Sequence, residues 1–290
     1  PLKHPVNIAY EAATADLADV NMVDPYHLEA YGKTAVNYNR DVEIFPVVKR
    51  ICARIMEPEQ LYQSPTDMGV NRVGFAISDD QVVREASIQE VIRRYFRYMA
   101  DYATGTADKA AVDRVKLLMD DLGVTELDRR VVAPARKAAK EAEAQGKGNN
   151  NVYCGAALEL PDGTIVTGKN SPLLHAASSC ILNAIKLLAK LPDDLLMLSP
   201  EVIDSVSQLK KNVFKNREVS LDLAETLTAL SVSVPTNSAA RLAMRKLPLL
   251  AGCEMHISHL PTAGDEAGLR KLGVRLTSEP VFTSRNLFME

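Results

Sequence analysis

Residues 27–41 read HLEAYGKTAVNYNRD, so Gly32-Lys33-Thr34 carries the last three letters of a phosphate-binding loop. Such a loop requires G-x-x-x-x-G-K-[ST], because its first glycine lets backbone N–H groups wrap a phosphate. Here that position is His27, the run from Leu28 to Tyr31 is bulky, and no buried strand precedes it. Gly32-Lys33-Thr34 is therefore not a P-loop. The segment still offers another chemistry. Lys33, Asn37, Asn39 and Arg40 cluster just before an expected helix start, where unpaired N–H groups, the helix dipole and cationic donors favour an anion. A second polar island, SPTDMGVN, adds Asp67 and Asn71. In the ligand-site reading Lys33 and Arg40 bind anionic groups while Asn37, Asn39 and Asn71 orient the ligand. Asp67 would then be a general base or a metal-associated carboxylate. In the plainer reading, both segments are loops whose Asn and Asp cap helices and close turns.

Metal and nucleophile motifs carry less. Cys253, His256 and His259 have the spacing C-x-x-H-x-x-H. On a strand, residues three apart point to opposite faces, so one strand does not aim all three at one ion. The sequence holds no H-E-x-x-H and no G-x-S-x-G, and Ser178-Ser179 falls in a helix of small residues where packing is the expected role. Neither a zincin-type protease nor a serine hydrolase is supported.

Composition narrows the partners. The 290 residues suffice for two domains, and 47% hydrophobic with 24% charged residues is ordinary for a globular protein. A net charge of −3 gives no general attraction to nucleic acid or to an anionic membrane. The absence of Trp, with only 5% aromatics, argues against a base-stacking platform. No apolar run approaches a bilayer span. Cys52, Cys154, Cys180 and Cys253 are far apart in apolar surroundings. They read as buried thiols, and the cytoplasm is the expected compartment.

The elements that would position these residues divide into two groups. DVEIFPVVKRICARIM, the stretch ending YMADYATG, DKAAVDRVKLLMDDLG and TELDRRVVAPARKAAKEAEAQG all read as helices. Gly105 and Gly123 are stops, Thr125 and Asp128 form a capping signal, and Pro134 is expected to kink its helix. AQGKGNNN, residues 144–151, reads as a linker. Beyond it, VYCGAALELPDGTIVTG is a hairpin about Pro161-Asp162-Gly163. Helices follow at LLHAASSCILNAIKLLAKL, at PEVIDSVSQLKK with Pro200 at its first position, and at LDLAETLTAL with Ser220 as cap. LLMLS and SVSV look strand-like. CEMHISHL and GVRLTSE flank a last helix in AGDEAGLRKLG as strands. The expectation is α/β with a separate helical domain: residues 1–148 helical, residues 149–290 mixed α/β.

The stretches HPVNIAYEAATADLADVNMVDPYHLEAYGKTAVNYNRDVEIFP, SPTDMGVN, CGAALELPDGTIVTGKNSPLL and TNSAARLAMRKLPLLAGCE run over nearly the whole chain. Through them it resembles a bacterial family of unknown function sometimes labelled ATP-dependent zinc proteases. That resemblance implies a longer protein with an N-terminal α/β domain carrying a P-loop-like stretch. ATP would bind there, and no cofactor would be bound by the present segment. The second half is also similar to the cytidine deaminase fold, in which a zinc ligand and a catalytic Glu open one helix and a P-C-x-x-C pair opens another. His175 matches the first ligand, but Ala177 stands where the Glu belongs, and Thr236 and Ala239 replace both Cys of the second site. The resemblance thus implies a deaminase-like domain without the zinc motif and without zinc deamination. The expected function is an enzyme, or part of one, acting on a small phosphate-bearing molecule. The alternative is a non-catalytic assembly module, and a metal-dependent hydrolase comes third. The expected partners are a small-molecule ligand and a homo-oligomer.

Overall fold

The computed structural model describes residues 80–216 and 218–283, with side chains from Ile88 onward. Among these, residues 80–98 and 105–128 fall in one compact unit, and 99–104 with 129–283 in another.

The first unit is helical. Helix α1 spans Asp80–Ala103 and ends before Gly105, whose φ of 79° continues no right-handed helix. Helix α2, Lys109–Leu122, starts on the Asp108 side chain, which accepts from Ala111 N, and stops at left-handed Gly123. Val112, Val115, Leu118 and Met119 form its buried stripe. A 3₁₀ turn at Glu126–Asp128 follows, with the Asp128 carboxylate accepting from Thr125 N and its hydroxyl.

The second unit is built on one four-stranded sheet in the order β2-β1-β3-β4, where β1 is Gly155–Glu159, β2 Ile165–Lys169, β3 Glu254–Ile257 and β4 Arg275–Ser278. β1 runs antiparallel to both neighbours, and β3 and β4 are parallel. Alternation along the strands gives each face its own partner. Helix α3, Val132–Ala144, lies before residue 148 in sequence, and its Ala135 packs with Val131 against Ala157. Gly155 permits this approach, since a Cβ there would strike the backbone at Ala135. Pro134 does not kink α3. It sits in the first turn, where its missing N–H has no intrahelical acceptor to lose.

The main core lies on the other face. There Ala156, Leu158, Met255 and Ile257 meet α4 (Ala176–Leu188), α6 (Leu223–Ser233) and α8 (Ala263–Lys271). Helix α5 (Pro200–Asn212) packs on α6, and α7 (Ser238–Met244) packs on α4 and α6. Gly168 lets the first turns of α4 approach β2 at backbone distance.

Two strand-like runs are not strands. LLMLS is irregular, because the Leu196 carbonyl accepts from the Asn237 side chain at 2.8 Å rather than from a ladder. SVSV lies largely in α6, which runs to Ser233. Ser220 does not cap that helix. Asp222 does, in a reciprocal capping box with Glu225, while the Ser220 hydroxyl donates to Glu218.

Candidate functional site

β2, β3 and β4 run in the same direction, so their carboxyl ends share one edge of the sheet with the start of β1. Three helix starts converge beside that edge. The connection after β2 delivers His175 as the N-cap of α4, the loop after β3 delivers Thr262 as the N-cap of α8, and Leu223 opens α6.

Asp265, in the first turn of α8 and 4% exposed, ties the three together. One of its oxygens accepts from Leu223 N at 2.9 Å. The other accepts from the Thr262 hydroxyl at 2.8 Å and faces His175 Nδ1 at 2.7 Å. An ionised carboxylate only accepts, so Nδ1 must carry a proton, and the neutral imidazole presents its lone pair at Nε2. Nε2 makes no hydrogen bond among the described residues, and the His175 side chain is 18% exposed. Burial alone would lower the affinity of His175 for a proton. The Asp265 hydrogen bond and charge outweigh it, so the pKa lies above the usual histidine value. The arrangement is an imidazole base held in one tautomer by a carboxylate that is itself pinned on both oxygens.

Further polar groups surround this pair. Asp222 rests against Gly264, where any Cβ would collide with its carboxylate. Burial holds its carboxyl above the usual range, with the Glu225 and Asp265 charges acting in the same direction. Lys210 of α5 is buried and donates to Ser220 O at 2.6 Å and to Glu225 at 2.7 Å. Cys154 lies at the start of β1, with the Ser258 hydroxyl 3.6 Å from its sulfur. Burial, reinforced by the Asp265 charge, pushes its thiol up to about 12, so at neutral pH it is no nucleophile.

A second polar cluster lies on the α3 face of the sheet. Arg129, 1% exposed, donates to Thr277, Glu254, Met255 O and Arg275 O. His256 faces Thr277 at 2.9 Å and Glu279 at 3.1 Å, and Arg136 reaches the same Glu279 at 2.5 Å. Burial brings the His256 pKa below the usual histidine value, against the opposing hydrogen bond and charge of Glu279. Despite partial burial, His256 and Arg136 hold the Glu279 carboxyl down at about 2. Every group here is satisfied within the chain, and we read the cluster as structural.

Lys33, Asn37, Asn39, Arg40, Asp67 and Asn71 lie outside the described residues, as does Cys52. The Cys253, His256 and His259 motif is not brought together. Cys253 turns to Leu249 O, His256 to Thr277 and Glu279, and His259 to Ser258. Among the described residues no group of three His, Cys, Asp or Glu side chains is placed to hold a metal ion. Cys154, Cys180 and Cys253 are free, buried thiols. No described helix is long and apolar enough to cross a membrane. The sequence reading missed Asp265 and Thr262, whose only local signal is the ordinary capping pattern of PTAGD.

The tautomer argument has a pH consequence. A histidine whose folded pKa is raised contributes stability that is complete below its unfolded value near 6.5 and is lost as pH rises through the folded value. Asp265→Asn removes the cause. NMR titration should then place the His175 pKa lower than in the wild type. The stability gap between the two proteins, measured by urea unfolding, should narrow as pH rises past 6.5. A gap independent of pH would show that the pair carries no linked proton.

Together, fold and site define a mixed α/β protein with a small four-stranded sheet and a histidine–carboxylate pair at the carboxyl edge of its strands. The chain belongs to the DUF1846 (UPF0371) family, whose function is unknown. Two family models match, the N-terminal domain of unknown function DUF1846 over residues 1–123 and its C-terminal domain over residues 127–288. Similar proteins include the UPF0371 proteins of Clostridium botulinum (strain Alaska E43 / Type E3) at 52% identity over 289 residues, and of Clostridioides difficile (strain 630) at 49% over 288. That of Fusobacterium nucleatum is 50% identical over 291 residues. Each match covers 99% of this chain but only 57–58% of the relative, so the chain spans little more than half the length of these proteins.

Proposed function

We propose that the chain is part of an enzyme acting on a small phosphate-bearing molecule, with His175 as proton acceptor and Asp265 as the residue that orients it. The observation that carries this reading is the 2.7 Å contact from Nδ1 to Asp265 combined with an unbonded Nε2. An imidazole serving only as a structural tie has no need to keep its basic nitrogen open. Lys33 and Arg40 remain the proposed anion-binding cations, Asn37, Asn39 and Asn71 the orienting amides, and Asp67 a further carboxylate. ATP would be bound by a part of the longer protein outside this chain. The net charge of −3 supports a small ligand rather than a nucleic acid or membrane partner. The meeting of the two family models between residues 123 and 127 supports a two-part chain.

A deaminase-like ancestry for the second unit is part of the proposal. The strand order β2-β1-β3-β4 with β1 reversed is consistent with it. The helix that follows β3 opens with Pro261-Thr262-Ala263-Gly264-Asp265, the spacing of P-C-x-x-C. On this reading the second pair of positions is Thr262 and Asp265 rather than Thr236 and Ala239, and His175 completes the set. Zinc does not fit these residues as they stand. Two ligands of one tetrahedral zinc lie roughly 3.3 Å apart, whereas Nδ1 and Asp265 are at hydrogen-bond distance and Thr262 offers a hydroxyl already engaged. No step is routed through a metal, and neither zinc deamination nor the metal-dependent hydrolase reading is adopted. The second reading is a non-catalytic assembly module, in which Asp265 serves only to bind three helix starts together.

Thermal unfolding in the presence of nucleotides and of sugar and acid phosphates separates the two. The enzyme reading expects at least one compound to raise the Tm of the wild type and to lose that effect in His175→Gln, which should itself fold. No shift from any compound would favour the assembly module.

A further inference from the structure

A cleft of about 530 Å³ opens between α4 and α5. Leu174, Leu182, Met197, Leu198 and Ile203 line it. Its rim leaves Leu173 54% exposed, Leu195 41% and Leu196 69%. Exposed leucines grouped at the mouth of an apolar cleft are the kind of surface that partners contact.

We propose that this face is the contact between two copies of the chain, with Leu196 of each copy seated in the cleft of the other. A hole and a protruding side chain of matching chemistry on one face are self-complementary about a two-fold axis, which is the requirement for an isologous dimer. The charges obey the same symmetry. Lys186 lies on the α4 wall, where its ammonium donates to Asp193 O at 2.8 Å and has no carboxylate partner among the described residues, and Asp204 lies on the α5 wall. A two-fold axis running along the cleft exchanges its two walls and so brings the basic wall of one copy to the acidic wall of the other. A small molecule is the weaker occupant. Asn183 donates to Thr167 O and Ser207 to Val219 O within the chain, leaving few groups to orient a ligand.

The test is the mass of the full chain in solution, by light scattering and sedimentation from low to high micromolar concentration. A concentration-dependent dimer is expected. Leu196→Glu should leave a monomer with unchanged circular dichroism and the unfolding transition of dilute, monomeric wild type. Asp204→Lys should weaken the dimer about tenfold or more, since it sets like charges against each other, and adding Lys186→Asp should restore it. A wild type that stays monomeric at high micromolar concentration would overturn the proposal, as would a dimer indifferent to Leu196→Glu. Uptake of an apolar dye by the cleft at every concentration without any change in mass would also overturn it, and would assign the cleft to a small molecule.

Discussion

Replacing Arg129 by Met is expected to cost about 3–5 kcal/mol of folding stability, the range found when one partner of a buried ion pair is removed. The guanidinium has no solvent to fall back on, being 1% exposed, and four acceptors depend on it. Met fills much of its volume, so the loss is one of unpaired polar groups rather than of a cavity. Glu254 is 21% exposed and keeps a contact from Arg275, which places the loss toward the lower end. Thr277 keeps its contact with His256 at 2.9 Å and Met255 O keeps the Thr277 hydroxyl at 3.3 Å, whereas Arg275 O loses its guanidinium donor. Glu254→Gln, which can still accept a hydrogen bond, should cost far less. Urea unfolding of the two variants at pH 7 decides the matter: equal, small losses would mean that packing of the arginine stem, not its hydrogen bonds, is what the sheet requires.

The second large effect is a gain. If Thr262 and Asp265 occupy the positions of a P-C-x-x-C pair, then Thr262→Cys with Asp265→Cys should give the chain a His–Cys–Cys set around a single point. Thiolates and a neutral imidazole are strong zinc ligands. The double variant should retain about one zinc per chain after dialysis against a weak chelator, and the wild type none. The same change at Thr236 and Ala239 should retain none. Hydrogen bonds lost with Asp265 will make the apo variant less stable, so zinc should also raise its Tm. A variant that folds without taking up zinc would reject the proposed correspondence while leaving the His175–Asp265 pair intact as observed.

Local signals in the sequence carry through to the structure. Gly123 ends α2, Pro161-Asp162-Gly163 turns the hairpin, and Pro200 opens α5, because each is decided by backbone geometry within a few residues. Errors arose where a distant side chain decides the outcome. LLMLS has the composition of a buried strand, but Asn237 takes its carbonyl and no strand edge is offered to it. Ser220 is as good a cap as Asp222 by residue type, and the Glu225 partner selects between them. The residues singled out from the sequence as a site, from Lys33 to Asn71, lie outside the described residues, and His175 comes forward only through the likeness to the deaminase pattern, with no role as a base assigned to it. Its partner lies 90 residues further along the chain. In one sequence Asp265 looks like any acidic residue in a first helical turn. Nothing local distinguishes a carboxylate that calms a helix dipole from one that also fixes a tautomer.

The reversed strand β1 has a consequence for how the chain reaches this state. Its pairing with β2 is a hairpin, but Ala156 meets Ile257 about a hundred residues later, and contacts of that separation form slowly because the loop must be closed first. During synthesis the hairpin and α3 can assemble while β3 and β4 have yet to emerge. Until then the β3-facing edge of β1, with Ala156 and Leu158 beside it, is an open and apolar template for a foreign strand. The last thirty or so residues of the described chain therefore cover this edge of β1 and move the sheet's open edge out to β4.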